Sequence, residues 1–139
     1  MAIIDEFFKQ RPQDDSTSLR DVATVFFHPF PAGAAMSVFE NVTVTREANI
    51  YFNGQITSRT LLFADGSSKT LGIMQPGDYT FTTGAAEIME ILSGRLEVLI
   101  AGAEAWKDIK GGESFEVPSN SSFRVKVGTL TDYCCSFLK

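Results

Sequence analysis

The sequence predicts an all-β domain, a sandwich or barrel of short strands, on three observations. Short apolar stretches recur at close spacing, with turns rich in Gly, Pro, Asn and Asp between them. No long run repeats its apolar residues with the period of a helix. Phe is over-used, with 12 copies in 139 residues, mostly interleaved with Val, Ile, Thr and Ser, a mixture that suits a pleated, half-buried surface.

The pattern divides the chain into an N-terminal extension, residues 1–46, and a barrel domain, residues 47–139. In the extension, residues 3–10 read as a short helix or a segment folded onto a neighbouring surface, and residues 11–20 as a polar loop. His28-Pro29-Phe30-Pro31 breaks the apolar run before it, because the prolines forbid a continuous helix. Residues 37–46 alternate and read as a strand. The extension has too few apolar residues to form a core of its own. From Ile50 the pattern becomes regular, with strands predicted at 55–63, 69–74, 79–83, 87–92, 95–100, 106–109, 114–117 and 123–127. Two last pieces, 128–131 and 133–138, complete it. The stretch from Gly77 to Gly94 reads as one hairpin arm, bent at Gly84-Ala85-Ala86, and places a carboxylate, Glu87, on an otherwise mostly apolar strand.

Composition narrows the function. The net charge is -5, so no nucleic-acid partner is expected, since binding a phosphate backbone needs excess Lys and Arg. A basic pocket for one small anion is still allowed. The two cysteines, Cys134 and Cys135, are adjacent and on a strand point to opposite faces, so no disulfide is expected. The first residues lack the apolar core of a secretory signal, and no apolar run approaches the ~18 residues of a membrane span. A cytoplasmic protein with no membrane partner is the expectation.

Few residues can carry chemistry. The single His, His28, reads as a packed or surface residue, which leaves neither a metal cluster nor a Ser-His-Asp triad. No glycine-rich phosphate loop is present. Cys135 lies in an apolar strand and reads as a buried structural thiol. What remains is spacing. Six residues separate Glu87 from Gly94, five separate Gly112 from Pro118, and Asn120 and Phe123 follow. These spacings resemble the two signature motifs of the cupin superfamily. That resemblance implies a jelly-roll barrel in which the Glu of the first motif is kept as Glu87. The positions held by His in metal-binding cupins fall on Phe81, Thr83 and Phe123. It therefore implies no metal and no cofactor, and disfavours a metal-dependent dioxygenase or isomerase.

A narrower resemblance is carried by Tyr51-Phe52-Asn53-Gly54, the run from Gly72 to Phe81, Glu87-Ile88-Met89, Ser93-Gly94 and Trp106. It continues through the run from Gly112 to Pro118, Ser121-Ser122-Phe123 and Asp132-Tyr133-Cys134-Cys135. In this order they resemble the small cupin family of pyrimidine/purine nucleoside phosphorylases, over roughly two-thirds of the chain. Residues 1–46 are additional to that family, and the loop at 63–70 differs from its pattern. The resemblance implies a pentosyltransferase with nucleosides as substrates and inorganic phosphate as co-substrate, yielding free base and pentose 1-phosphate, broad in base choice and independent of metal.

Strand alternation selects the residues that would face such a substrate. If Glu87 points inward, so do Met89 and Ile91. Tyr79, Phe81 and Thr83 share one face, as do Phe123, Val125 and Val127, and Tyr133, Cys135 and Phe137. The reaction gives Glu87 a catalytic role, facing an oxocarbenium-like centre or holding a ribose hydroxyl. Tyr79, Phe81, Thr83, Met89, Ser121, Phe123 and Tyr133 are the expected substrate contacts, with Ser121 placed in a turn where free backbone N–H groups suit phosphate. Lys69 and Arg95 read as solvated surface, and Trp106 as a packing anchor. The alternative is a non-catalytic cupin that binds a small ligand or serves as an interaction module. A homodimer is expected, because an open sandwich has edges to protect.

Overall fold

The structure, a computed structural model, describes residues 37–138. The expectations for residues 1–36 lie outside the described residues. One compact unit spans Glu40–Lys139.

Among the described residues, eleven strands make two sheets. They are β1 (Thr43–Val44), β2 (Asn49–Tyr51), β3 (Ile56–Leu62), β4 (Ser68–Met74), β5 (Gly77–Thr82) and β6 (Ala86–Ser93). β7 (Arg95–Ile100), β8 (Lys107–Lys110), β9 (Ser114–Val117), β10 (Ser122–Val127) and β11 (Thr131–Leu138) follow. The larger sheet has seven strands, ordered β1-β3-β4-β11-β6-β9 with β2 also on β3; the smaller has four, ordered β5-β10-β7-β8. Every pairing is antiparallel. From β4 onward the chain changes sheet at every step except β7 to β8, so the strands wind around a shared interior and close it as a jelly roll.

This winding corrects one sequence reading. The stretch from Gly77 to Gly94 is not a hairpin arm. β5 pairs with β10 in the small sheet, and β6 with β11 and β9 in the large one. The short link at Thr83–Ala85 carries the chain from one layer to the other, and a link of hairpin length looks the same in sequence whether it folds back or crosses. The strand read over residues 37–46 shrinks to Thr43–Val44, which adds to the edge of β3 opposite Leu62 and Leu61. The last pair of predicted pieces is one strand starting at Thr131.

The core is where the two layers meet. Ile56, Met74, Ile91, Leu96, Val98, Val117 and Val125 are fully buried between them, at an expected ~1.5–3 kcal/mol per large apolar side chain. On β10, Phe123, Val125 and Val127 are buried and Arg124 and Lys126 exposed; on β6, Met89 and Ile91 are buried and Glu90 and Leu92 exposed. Alternation thus gives each sheet one inner face. The outer face of the small sheet is charged: Arg124 pairs with Asp78 and Arg95 with Asp108. Lys126 lies 4.3 Å from the Trp106 ring centroid, so Trp106 serves as a platform for cations on this face, not as an anchor beneath a loop.

Candidate active site

A cavity opens between the inner faces. Including its mouth and the solvent standing in it, its empty space is about 540 Å³. The two sheets give it unlike walls.

The small sheet supplies an aromatic wall. Phe81 and Phe123 are register partners across β5 and β10, and their rings stack with centroids 5.3 Å apart. Phe115, on the large sheet, meets Phe123 edge-to-face at 5.9 Å. Tyr51, at the end of β2, meets Phe81 in the same manner at 6.3 Å.

The large sheet supplies a polar wall of Ser58, Thr70, Glu87, Tyr133 and Cys135, each from a different strand or register position. In successive rows across this sheet, Ser58 lies beside Gly72, then Tyr133; Thr70 lies beside Cys135, then Met89; Phe137 lies beside Glu87. Gly72 has a steric reason. A Cβ there would lie 2.7 Å from both Cζ and the hydroxyl of Tyr133. The missing side chain lets the Tyr133 ring lie across β4, so its phenol reaches Ser58. Asn49 braces that serine, its Nδ2 donating to Ser58 Oγ at 3.1 Å and Thr60 Oγ1 at 3.0 Å.

The electrostatics follow from burial. Desolvation raises Glu87 above the ordinary carboxylate range, against the opposing pull of a hydrogen bond with the Cys135 thiol. Burial first, and the neighbouring Glu87 charge second, push Cys135 far up, so it remains a thiol. Tyr133 is also raised, chiefly by burial. The cavity thus holds a carboxylic group with a low-dielectric environment, plus neutral hydroxyls and a thiol.

Of the residues singled out from the sequence, Glu87, Phe81, Met89, Phe123 and Tyr133 line this cavity. Tyr79, Thr83 and Ser121 do not. The Tyr79 hydroxyl donates to the Gln75 carbonyl at 2.8 Å, tying down the corner before β5. Thr83 Oγ1 donates to the Pro118 carbonyl at 2.7 Å and accepts the Ser121 N–H at 2.9 Å. Both hydroxyls are spent on loop carbonyls, and the Ser121 N–H proposed for phosphate already has a partner. Lys69 bonds Ser136 at 2.6 Å and Arg95 bonds Asp108; neither lines the cavity. The sequence reading missed Tyr51, Ser58, Thr70, Met74 and Thr82 as lining residues.

The family described as pyrimidine/purine nucleoside phosphorylase matches residues 46–137. The chain belongs to the pyrimidine/purine nucleoside phosphorylase family. A member from Geotalea daltonii is 69% identical over 103 residues, covering 74% of this chain and 99% of that protein. One from Geotalea uraniireducens is 66% identical with the same coverage. A solved protein of unknown function from Acinetobacter sp. ADP1 superposes with a TM-score of 0.70 at 40% identity, covering 73% of this chain and 98% of that one. An RmlC-like cupin from Shewanella frigidimarina gives a TM-score of 0.54 at 17% identity, over 75% and 89% of the two chains. That likeness identifies the all-β fold as a cupin fold. The cavity walls all come from positions 51–137, inside the region matched by the family.

Proposed function

We propose that this cavity cleaves nucleosides with inorganic phosphate. A phosphate oxygen bonds to C1′ of the pentose, the C1′–N bond breaks with its electron pair going to the base, and the proton of phosphate ends on the base nitrogen. The products are free base and pentose 1-phosphate, the chemistry of a pentosyltransferase. The observation that carries this reading is Glu87, a half-buried carboxylate in a cavity with one aromatic and one hydroxyl-bearing wall, in a chain of this family.

Charge development at C1′ explains why the site needs such a group. As the base leaves, positive charge grows on the sugar, and a carboxylate in a low-dielectric cavity stabilises it more than in water. Tyr133, Ser58 and Thr70 offer neutral hydroxyls for sugar or phosphate oxygens. The Phe81–Phe123 wall is apolar and offers no polar group to choose among bases, which fits acceptance of purines and pyrimidines. The cupin metal positions hold Phe81, Thr83 and Phe123, which cannot ligate a cation through nitrogen, and among the described residues no group of three or more His, Cys, Asp or Glu is placed to hold one. The reaction is therefore read as metal-independent, with phosphate as co-substrate and no cofactor.

Two further expectations belong to this reading. Both sheets end in edge strands, β9 and the β1/β2 edge in one, β5 and β8 in the other, which suits pairing into a homodimer. Two free, buried cysteines suit a reducing cytoplasm. Among the described residues no helix is long and apolar enough to cross a membrane.

The test is release of free base from uridine and from adenosine by the purified protein, with and without phosphate, in the presence of chelator. Phosphate-dependent release that survives the chelator supports the reading. No release from a panel of nucleosides favours the alternative of a non-catalytic ligand-binding cupin, and loss of rate in chelator refutes the metal-independent step.

A further inference from the structure

Tyr51 stands out among the residues around the cavity. It lines the wall, yet 41% of its surface is exposed, whereas Phe123 is buried and Phe81 is half-buried. It is the most open of these aromatic side chains, with surface left for a ligand to cover.

Its backbone setting is also unusual. The three residues after it form a single 3-10 turn, Phe52–Gly54, and all are left-handed: Phe52 at φ 52, Asn53 at φ 56 and Gly54 at φ 92. A left-handed residue with a side chain costs about 1–2 kcal/mol, and a bulky aromatic is among the least suited. Such conformations persist where surrounding contacts over-determine them, and they cluster at ligand clamps. Here the contacts are visible. The Phe52 ring sits 4.9 Å from Tyr79 and 5.4 Å from Phe81, and Tyr79 is itself pinned by its hydroxyl to the Gln75 carbonyl. Phe52 is a peg that holds the turn, and the turn holds Tyr51.

Register places Tyr51 at the far end of the site from the carboxylate. Tyr51 opposes Ile56, which opposes Met74, which opposes Thr131 at the start of β11. Glu87 opposes Phe137 near the end of the same strand. Tyr133 lies between them on the same strand. The cavity therefore has an aromatic end and a carboxylate end with hydroxyls along the way.

We propose that Tyr51 is the nucleobase-holding residue, with the base packed on its exposed ring and the pentose directed towards Glu87. This rests on the reading of the cavity as a nucleoside site and deepens it. A π-face accepts any base, so the contact adds affinity without choosing between purine and pyrimidine, and base–aromatic packing of this kind is sequence-tolerant.

The test is equilibrium binding of 1,N6-ethenoadenosine, a fluorescent adenosine analogue, without phosphate and so without turnover. Tyr51→Ala is expected to weaken binding about tenfold, Tyr51→Phe to leave it within about twofold, and Tyr51→Leu, which keeps apolar bulk but no π-face, to resemble Tyr51→Ala. Binding of ribose 1-phosphate, which has no base, stays unchanged in all three. Tyr51→Ala binding the analogue as tightly as wild type, or losing ribose 1-phosphate equally, overturns the assignment. If Tyr51→Ala fails to fold, Tyr51→Leu decides by the same criteria. Wild type that binds the analogue but releases no base with phosphate leaves the base site standing while the phosphorolysis reading falls. Wild type that binds no nucleoside overturns both.

Discussion

Gly72→Ala isolates the packing that places Tyr133. The added Cβ would fall 2.3 Å from the Thr57 carbonyl oxygen and 2.7 Å from both Cζ and the hydroxyl of Tyr133. The backbone at Gly72 lies within strand β4, so alanine is conformationally tolerated and the cost is steric. The carbonyl belongs to the neighbouring strand β3 and cannot rotate away. Either β3 and β4 separate locally or the variant residue shifts and displaces the Tyr133 ring. Overpacking of this kind costs about 1–3 kcal/mol, which for a domain of this size lowers the melting temperature by roughly 5–20 °C. Adding Tyr133→Leu removes the ring from the clash, so the double variant should lose less than the sum of the singles. Thermal melts of the three variants and wild type measure this. Gly54→Ala is the control: its Cβ meets nothing within 4 Å, so only the left-handed φ opposes it, at about 1–2 kcal/mol. A Gly72→Ala melt within about 2 °C of wild type, or strict additivity with Tyr133→Leu, would falsify the steric account.

Other expectations are independent of that one. Thr83→Val removes the acceptor of the Ser121 N–H and the donor to Pro118. It should cost about 1–3 kcal/mol in a denaturant melt while KM for nucleosides stays at the wild-type value; a raised KM at unchanged stability would return Thr83 to the site. Glu87 is raised in the fold by burial, so its stabilising contribution is present at low pH and fades as pH rises through the raised value, above the ordinary ~4.3. Glu87→Gln, which mimics the neutral acid, should therefore melt with wild type near pH 4 and above it at pH 8; the opposite trend contradicts a buried carboxylate. Burial raises Cys134 to about 11 and Cys135 further. Neither should react with a thiol reagent in the native protein at pH 7.5, and both should react after unfolding; rapid native labelling refutes this. The Asp78–Arg124 pair is solvent-exposed, so Asp78→Asn should leave the melt unchanged.

The sequence carried much of the fold through alternation. β7 and β9 fall where the apolar pattern placed them, and the inward sets on β6, β10 and β11 hold because one face of each strand is mostly apolar or aromatic, with Glu87 the charged exception on β6. What alternation does not encode is which sheet a strand joins, and that is how the crossing at Thr83–Ala85 passed for a hairpin. On β3 and β4 the pattern fails for a different reason. Ser58 and Thr70 face inward while Arg59 and Lys69 flank them, so both faces carry polar residues and polarity alone does not identify the inner one. Tyr79 shares the inward face of Phe81, as alternation predicts, but its hydroxyl is taken by the Gln75 carbonyl four residues back, a turn contact that strand alternation does not encode. Tyr51 left one trace, the Asn53-Gly54 pair after it, which marks left-handed backbone. Reading that turn as strain beside an aromatic would have drawn attention to it.

The central claim is that Glu87 acts on the sugar in the bond-breaking step. The most direct test compares Glu87→Gln with wild type for phosphate-dependent base release, alongside ethenoadenosine affinity and the thermal melt. The predicted result is a fall in kcat of about a hundredfold or more, with affinity within a few-fold of wild type and a cooperative melt no lower than that of wild type. A variant that turns over at the wild-type rate contradicts the claim, and one that loses its fold makes Glu87 a structural carboxylate instead.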